Sequence, residues 1–113
     1  PRPHKSGPHT IECCNTSQYA QHLRSVLNLP LGDTTLITPG AMINILGEKG
    51  FTGPAIYEGL EKILGISGVH QHIYGKSDTK PFRKMGHVTI TGETLIQVKR
   101  IADEVKETIK VKA

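Results

Sequence analysis

The chain has 113 residues, which is enough for one domain and too few for two independent hydrophobic cores. Hydrophobic residues make up 36% and charged residues 21%, with 12 glycines and 7 prolines, so the composition is that of a loop-rich globular protein and excludes a fibrous or disordered chain. The 14 Lys and Arg against 10 Asp and Glu give a net charge of +4, which favours anionic partners without choosing between phosphate metabolites and nucleic acid.

No segment has the run of roughly 18 apolar residues that a membrane span needs, and the first residues lack the apolar stretch of a signal peptide. We therefore expect no membrane association and a cytoplasmic location. The adjacent Cys13 and Cys14 are poorly placed to bond with each other and match no zinc-binding spacing, which fits a reducing compartment.

The first ten residues contain three prolines and show neither helical nor strand periodicity, so they are predicted to form an extended segment and loop. Pro1 and Pro3 restrict the backbone around Arg2 and His4, whose side chains would lie on the same side of an extended strand. Such a pair suits a small oxyanion, or it is an accident of a solvated tail. A chain that starts in this way, without Met, is expected to be the end of something longer.

Apolar residues recur at helical spacing after Thr16 and Ser17, which are good N-caps, so a first helix is predicted over 17–28. Prolines and glycines predict a connection over 29–40, with a short extended piece at 35–38, and we place a domain boundary between residues 32 and 33. A buried strand is predicted over 41–46, because this apolar run is too short for a stable helix.

A second helix is predicted over 54–64, with Pro54 as its first residue and Gly65 as a left-handed C-terminal cap. Alternating apolar and polar residues over 69–75 and 87–91 predict a β-hairpin. A last helix is predicted over 93–110, with an acidic first turn and a basic last turn. The predicted fold class is α+β, with an antiparallel sheet and two packed helices.

The predicted hairpin loop is the densest positive patch, with four cations in positions 76–84. Strand pairing would place Lys76 and Arg83 at the two roots of this loop, roughly 5 Å apart laterally, so that both could reach one dianion. Arginine offers a planar fork to phosphate oxygens and lysine a mobile point charge. The alternative is an exposed basic loop that simply keeps the hairpin soluble.

Other chemistry finds little support in the residues. Gly75-Lys76-Ser77 resembles the end of a phosphate-binding P-loop, but His70 stands where that motif needs its first glycine. His70 and His72 share a strand face without a nearby third ligand, which is weak evidence for a metal. The ten carboxylates offer no pair for Mg²⁺ or for acid-base catalysis.

Several motifs, in order and at compatible spacing, resemble the C-terminal part of the N5-carboxyaminoimidazole ribonucleotide synthetase family. They are Pro1-Arg2-Pro3-His4 followed by Ser6-Gly7, His9-Thr10-Ile11-Glu12, Thr16-Ser17-Gln18-Tyr19, Gln21-His22-Leu23-Arg24, Leu29-Pro30-Leu31-Gly32, Tyr74-Gly75-Lys76 and Arg83-Lys84-Met85-Gly86-His87-Val88-Thr89. The chain departs from the family at Lys5, usually Asn, and at Pro8, often His. Phe82 replaces the glycine of the usual Arg-Pro-Gly-Arg.

The resemblance implies an ATP-grasp ligase of purine biosynthesis that carboxylates aminoimidazole ribonucleotide with bicarbonate through carboxyphosphate. Residues 1–32 would be the C-terminal edge of the ATP-grasp domain and 33–113 the small C-terminal domain. Arg2 and His4 would face bicarbonate or carboxyphosphate, while Lys76 and Arg83 would hold the 5′-phosphate of the ribonucleotide.

The same resemblance implies ATP and Mg²⁺ as cofactors, bound by residues upstream of this chain, and no metal site within it. The partners would be the rest of the same polypeptide and a second copy in a homodimer, and this chain alone would be inactive.

Two rival interpretations belong to other classes. A freestanding basic module would bind nucleic acid, but Phe82 is the single aromatic residue among the cations of the hairpin loop, which argues against base stacking. A structural cap on the ATP-grasp fold would need no ligand contacts. We therefore expect no nucleic-acid partner.

Overall fold

The computed structural model describes residues 7–113 and has an α+β architecture, as predicted. The helices are α1 (Thr10–Cys13), α2 (Gln18–Val26), α3 (Leu60–Leu64) and α4 (Leu95–Thr108), and a 3-10 turn (Gly7–His9) precedes α1. The strands are β1 (Gly40–Leu46), β2 (Gly53–Pro54), β3 (Ile56–Glu58), β4 (Val69–Ile73), β5 (Asp78–Thr79), β6 (Lys84–Thr91) and β7 (Lys110–Lys112).

The main sheet is antiparallel, with strand order β1-β6-β4. Residues Met85 to Ile90 of β6 are all buried, because β6 has a neighbouring strand on each side and also contacts the helices α4 and α1. Helix α4 packs its apolar stripe of Val98, Ile101 and Val105 against this sheet, in one core with Ile63 of α3. The predicted strand at 41–46, the hairpin and the packing of two helices in one core are therefore confirmed.

Side-chain hydroxyls cap both longer helices, and the cap of α2 at Ser17 is one of the two N-caps predicted from the sequence. The Ser17 hydroxyl accepts a hydrogen bond from the Ala20 N–H at 3.1 Å, and the Thr94 hydroxyl accepts one from Gln97 N–H at 3.2 Å. The last helix is shorter than predicted, since Glu93 lies before the N-cap and Lys110 begins β7.

The predicted helix over 54–64 is wrong for its first half. Residues of β2 pair with β5, and β3 pairs with β7, so this segment is used in two small two-stranded sheets. The apolar spacing predicted a helix, but residues 56–58 pair with the C-terminal strand β7 instead. Local propensity does not contain information about such a distant partner. Gly65 is also not the left-handed cap that was predicted, because its φ is −82°.

The segment before β1 docks back on itself. The Asn15 N–H donates to the Thr35 carbonyl at 3.0 Å and the Ile37 N–H to the Cys13 carbonyl at 2.7 Å, so the extended piece predicted at 35–38 pairs with the end of α1. The apolar residues Leu23 of α2 and Leu27, which follows that helix, stay 60% and 63% exposed.

None of the helices in residues 7–113 combines the length and apolarity that a bilayer span requires.

Gly59 and Gly65 flank α3, and we expect alanine at these two positions to change the stability of the protein in opposite directions. Gly59 has a φ of +86°, and a Cβ there would collide with the Thr108 carbonyl, whereas Gly65 has open space around it. We expect Gly59→Ala to lower the free energy of unfolding by about 1–3 kcal/mol. Gly65→Ala should raise it by about 0.4–1 kcal/mol, because it restricts only the unfolded chain.

Urea unfolding of the two variants checks this pair. Equal effects of the two substitutions would show that the left-handed backbone at Gly59 does not constrain the start of α3.

Candidate functional site

The basic hairpin loop (residues 74–83) joins β4 to β6, and it carries both cations singled out in the sequence. The Lys76 Nζ donates to the Lys84 carbonyl at 2.7 Å and lies 6.0 Å from the centre of the Tyr74 ring. The hydrogen bond holds the ammonium of Lys76 against the first residue of β6, and the ring of Tyr74 lies beside it. Lys76 is half-buried, and neither contact neutralises its charge.

Arg83 stands immediately before β6, at the other root of the loop. Its backbone is fixed by two hydrogen bonds, from its N–H to the Lys80 carbonyl at 3.1 Å and from the Gly47 N–H to its own carbonyl at 2.9 Å. The half-buried guanidinium forms no ion pair with any carboxylate of residues 7–113. The structure thus brings the two predicted cations to one loop, and their convergence on a single anion stays a prediction.

Residues 80–83 form a tight turn in which Phe82 has an unusual backbone. Pro81 precedes Phe82, whose φ is +64°, and the Arg83 N–H closes the turn on the Lys80 carbonyl. Proline followed by a residue with positive φ is the pattern of a type II turn, where glycine is preferred. The departure from glycine at Phe82 therefore leaves the turn formed but strained.

Restoring glycine at this turn should stabilise the protein. The side chain of Phe82 is 69% exposed, so little packing is lost on its removal. We expect Phe82→Gly to raise the free energy of unfolding by up to about 1 kcal/mol, because glycine adopts positive φ without the clash of a Cβ. Phe82→Ala is the matched control, since it removes the ring but keeps the Cβ.

Chemical denaturation of both variants measures the difference. A gain in the alanine variant as large as in the glycine variant would assign the effect to the exposed ring instead of the backbone.

Next to this loop, four side chains form a connected line that we call the Glu12 network (Glu12, His72, His87 and Tyr74). The His72 Nε2 donates to Glu12 Oε1 at 2.5 Å. The rings of His72 and His87 stack with centres 4.5 Å apart and planes 16° apart, and His87 Nδ1 shares a hydrogen bond with the Tyr74 hydroxyl at 3.0 Å.

The register of the sheet explains the contact between His72 and His87. His72 of β4 is directly opposite His87 of β6, so their rings lie on the same face. The alternation of the two strands carries that signal, although only His70 and His72 were weighed as a pair from the sequence. Glu12 lies 60 positions from His72, and no local pattern links them.

Burial shapes the acid-base behaviour of His87. His87 is only 4% exposed, and this burial lowers its pKa below the ordinary value of 6.5. The neighbouring His72 lowers this pKa further, and Glu12 opposes the shift. His87 is consequently held in its neutral form, which can share its ring nitrogen with a hydroxyl.

Because the pKa of His87 is lowered by folding, the unfolded chain binds more protons than the folded chain at pH values between the folded-state pKa and 6.5. The contribution of His87 to stability is therefore complete above pH 6.5 and is lost as the pH falls through the folded-state pKa. We expect His87→Gln to flatten the dependence of the unfolding free energy on pH in the range just below 6.5.

Unfolding followed at several pH values in that interval tests this expectation. A variant that retains the full slope would show that another group is responsible for the loss of stability in acid.

Four other residues singled out in the sequence have no place in the basic hairpin loop as the structure describes it. Arg2 and His4 lie outside the described residues, as does Lys5. His70 reaches the Thr91 hydroxyl at 3.3 Å, and residues 7–113 contain no group of three or more His, Cys, Asp or Glu side chains that could hold a metal ion.

The two cysteines are both unpaired. Burial raises the pKa of Cys13, and the neighbouring Cys14 and Glu12 raise it further. The Cys13 thiol is completely buried, so it packs as a small apolar group.

The sequence pattern described as the phosphoribosylaminoimidazole carboxylase C-terminal domain matches residues 40–101. A phosphoribosylaminoimidazole carboxylase, chloroplastic, from Vigna aconitifolia is 46% identical over 87% of this chain and 18% of its own length. The N5-carboxyaminoimidazole ribonucleotide synthase of Bacillus subtilis is 45% identical over 79% of this chain and 22% of its own length. The chain thus spans about a fifth of these curated relatives.

Solved structures agree with these relatives. The N5-carboxyaminoimidazole ribonucleotide synthetase of Thermotoga maritima superposes with a TM-score of 0.95 at 47% identity, over 100% of this chain and 31% of that one. The Aspergillus clavatus enzyme, solved with ADP and 5-aminoimidazole ribonucleotide, superposes with a TM-score of 0.78 at 32% identity, over 92% of this chain and 28% of that one.

Proposed function

We propose, since this chain belongs to the phosphoribosylaminoimidazole carboxylase C-terminal domain family, that it is the C-terminal part of an ATP-dependent ligase of purine biosynthesis. The reaction would carboxylate aminoimidazole ribonucleotide with bicarbonate, through carboxyphosphate, to N5-carboxyaminoimidazole ribonucleotide. The names of the relatives support this assignment, and the Aspergillus clavatus enzyme was solved with the amine substrate.

We assign to this chain the binding of the ribonucleotide's 5′-phosphate by Lys76 and Arg83. The observation that carries the assignment is the pair of half-buried cations at the two roots of one hairpin loop, neither of them paired with a carboxylate of residues 7–113. A dianionic phosphate would supply the missing negative charge, and charge-assisted hydrogen bonds to it would be strong. Holding the phosphate at a distance from the reacting amine would orient that amine for attack.

Arg2 and His4 lie outside the described residues, and we propose them as the groups that act on the second substrate. Their cationic and hydrogen-bonding groups would stabilise the negative charge of bicarbonate or carboxyphosphate. Residues 1–32 would be the edge of the ATP-grasp domain, with 33–113 the small C-terminal domain.

ATP and Mg²⁺ would be bound by a part of the enzyme that this chain does not span. One Aspergillus clavatus structure holds ATP and another holds ADP, which supports nucleotide binding in the whole enzyme. The ligase would supply the phosphoryl chemistry there, and this chain alone would be inactive. Assembly as a homodimer with the rest of each polypeptide, and a cytoplasmic location, stay predictions.

The nucleic-acid alternative has weaker support. The relatives are named for a small ribonucleotide and not for a nucleic acid. The exposed aromatic rings near the cations are those of Tyr74 and Phe82, and the ring of Tyr74 already contacts Lys76. A purely structural cap would leave Lys76 and Arg83 without a role.

Substitution of the two cations in the full-length enzyme distinguishes these functions. We expect Arg83→Ala and Lys76→Ala each to raise the KM for aminoimidazole ribonucleotide at least about tenfold, because each removes a charge-assisted contact of about 1.5–3 kcal/mol. The KM for ATP should change little, since the nucleotide binds elsewhere. Steady-state kinetics with each substrate varied in turn gives both constants.

Lys99→Ala is the matched control, because Lys99 is an exposed cation on α4, away from the hairpin loop. An unchanged KM for the ribonucleotide in both loop variants would exclude the phosphate site and favour the structural cap. Salt-sensitive binding of single-stranded RNA that is lost in the same variants would favour the nucleic-acid module.

A further inference from the structure

The Glu12 network contacts Lys76 through Tyr74. Tyr74, whose hydroxyl bonds to His87, also places its ring 6.0 Å from the Lys76 ammonium. The contacts run from Glu12 in α1 to His72, then to His87, then to Tyr74 and finally to Lys76. Helix α1 and the basic loop are thus joined by an uninterrupted series of side-chain contacts.

This series restricts where the Tyr74 ring can lie. His87 is almost completely buried in the central strand, so its imidazole has little freedom to rotate. The stack with His72 fixes one face of that imidazole, and the hydrogen bond with Tyr74 uses one of its two nitrogens. Any change in how Glu12 holds His72 therefore reaches Tyr74 through rigid neighbours.

His70 shows that the arrangement is not a general property of histidines on this strand. It lies two residues before His72 on the same face of β4, yet its ring nitrogen reaches only the hydroxyl of Thr91. His70 contacts neither an acid nor a cation of the basic loop among the described residues. The chain therefore offers a comparison residue of the same type at a neighbouring position.

We propose that Glu12, His72 and His87 are positioning residues that hold Tyr74, and through it Lys76, in place to receive the phosphate of the ribonucleotide. This proposal rests on the proposed function, because it requires Lys76 to bind that phosphate. Its consequence is that substrate affinity depends on contacts made by α1, which precedes the hairpin by more than 50 residues of sequence.

The test is a double-mutant analysis in the full-length enzyme. His72→Gln is expected to raise the KM for aminoimidazole ribonucleotide about 3- to 10-fold, with kcat changed less than about twofold, because it loosens a positioning contact and removes no reacting group. His70→Gln is the matched control and should leave both constants unchanged. Introduced into a Lys76→Ala enzyme, His72→Gln should have no further effect on KM, because the group that it positions is gone.

Tyr74→Phe gives a second, milder test that keeps the ring near Lys76 and removes only the hydroxyl bonded to His87. It should raise KM to the same extent as His72→Gln, and the two together should not exceed either alone. Thermal melting of each variant shows whether it is folded, and Tyr74→Phe decides the outcome if His72→Gln does not fold.

The results separate this inference from the proposed function. If Lys76→Ala leaves KM unchanged, the phosphate site itself is wrong and the positioning inference falls with it. If Lys76→Ala raises KM but Tyr74→Phe and His72→Gln do not, or if their effects simply add to that of Lys76→Ala, the phosphate site stands and the positioning inference is overturned.

Discussion

The pairing of β4 with β6 is the constraint on which the rest of the structure depends. Because β6 lies between β1 and β4, its side chains form the buried centre of the sheet, and α4 packs against them. The same pairing sets His72 opposite His87 and brings the two ends of the basic loop together. A slip of one residue would move every side chain of the strand to the opposite face and would separate these features.

The basic loop combines charge with a fixed backbone. Lys76 is held by a carbonyl and an aromatic ring, neither of which neutralises it, and Arg83 follows a closed turn at the start of β6. Unpaired, half-buried cations are unfavourable unless an anion binds them, so a phosphate ligand offers a physical reason for their placement. The strained backbone of Phe82 shows that the turn geometry is maintained even without the glycine that would suit it.

The Glu12 network joins two segments that are distant in sequence. Its buried histidine is kept neutral by its surroundings, and its contacts extend from α1 to the loop that carries Lys76. The family relatives are about five times longer than the span matched here. The physical link between α1 and the hairpin lies within this chain.

Local patterns in the sequence determined the elements whose stability is local. The cap at Ser17, the apolar stripe of α4, the alternation of the hairpin strands and the density of cations in the loop were all predicted from the sequence. Only the tertiary structure decided that residues 53–58 pair with distant strands instead of forming a helix, and that Glu12 meets His72. Those contacts join residues tens of positions apart, and their energy comes from burial and pairing that no short window of sequence contains.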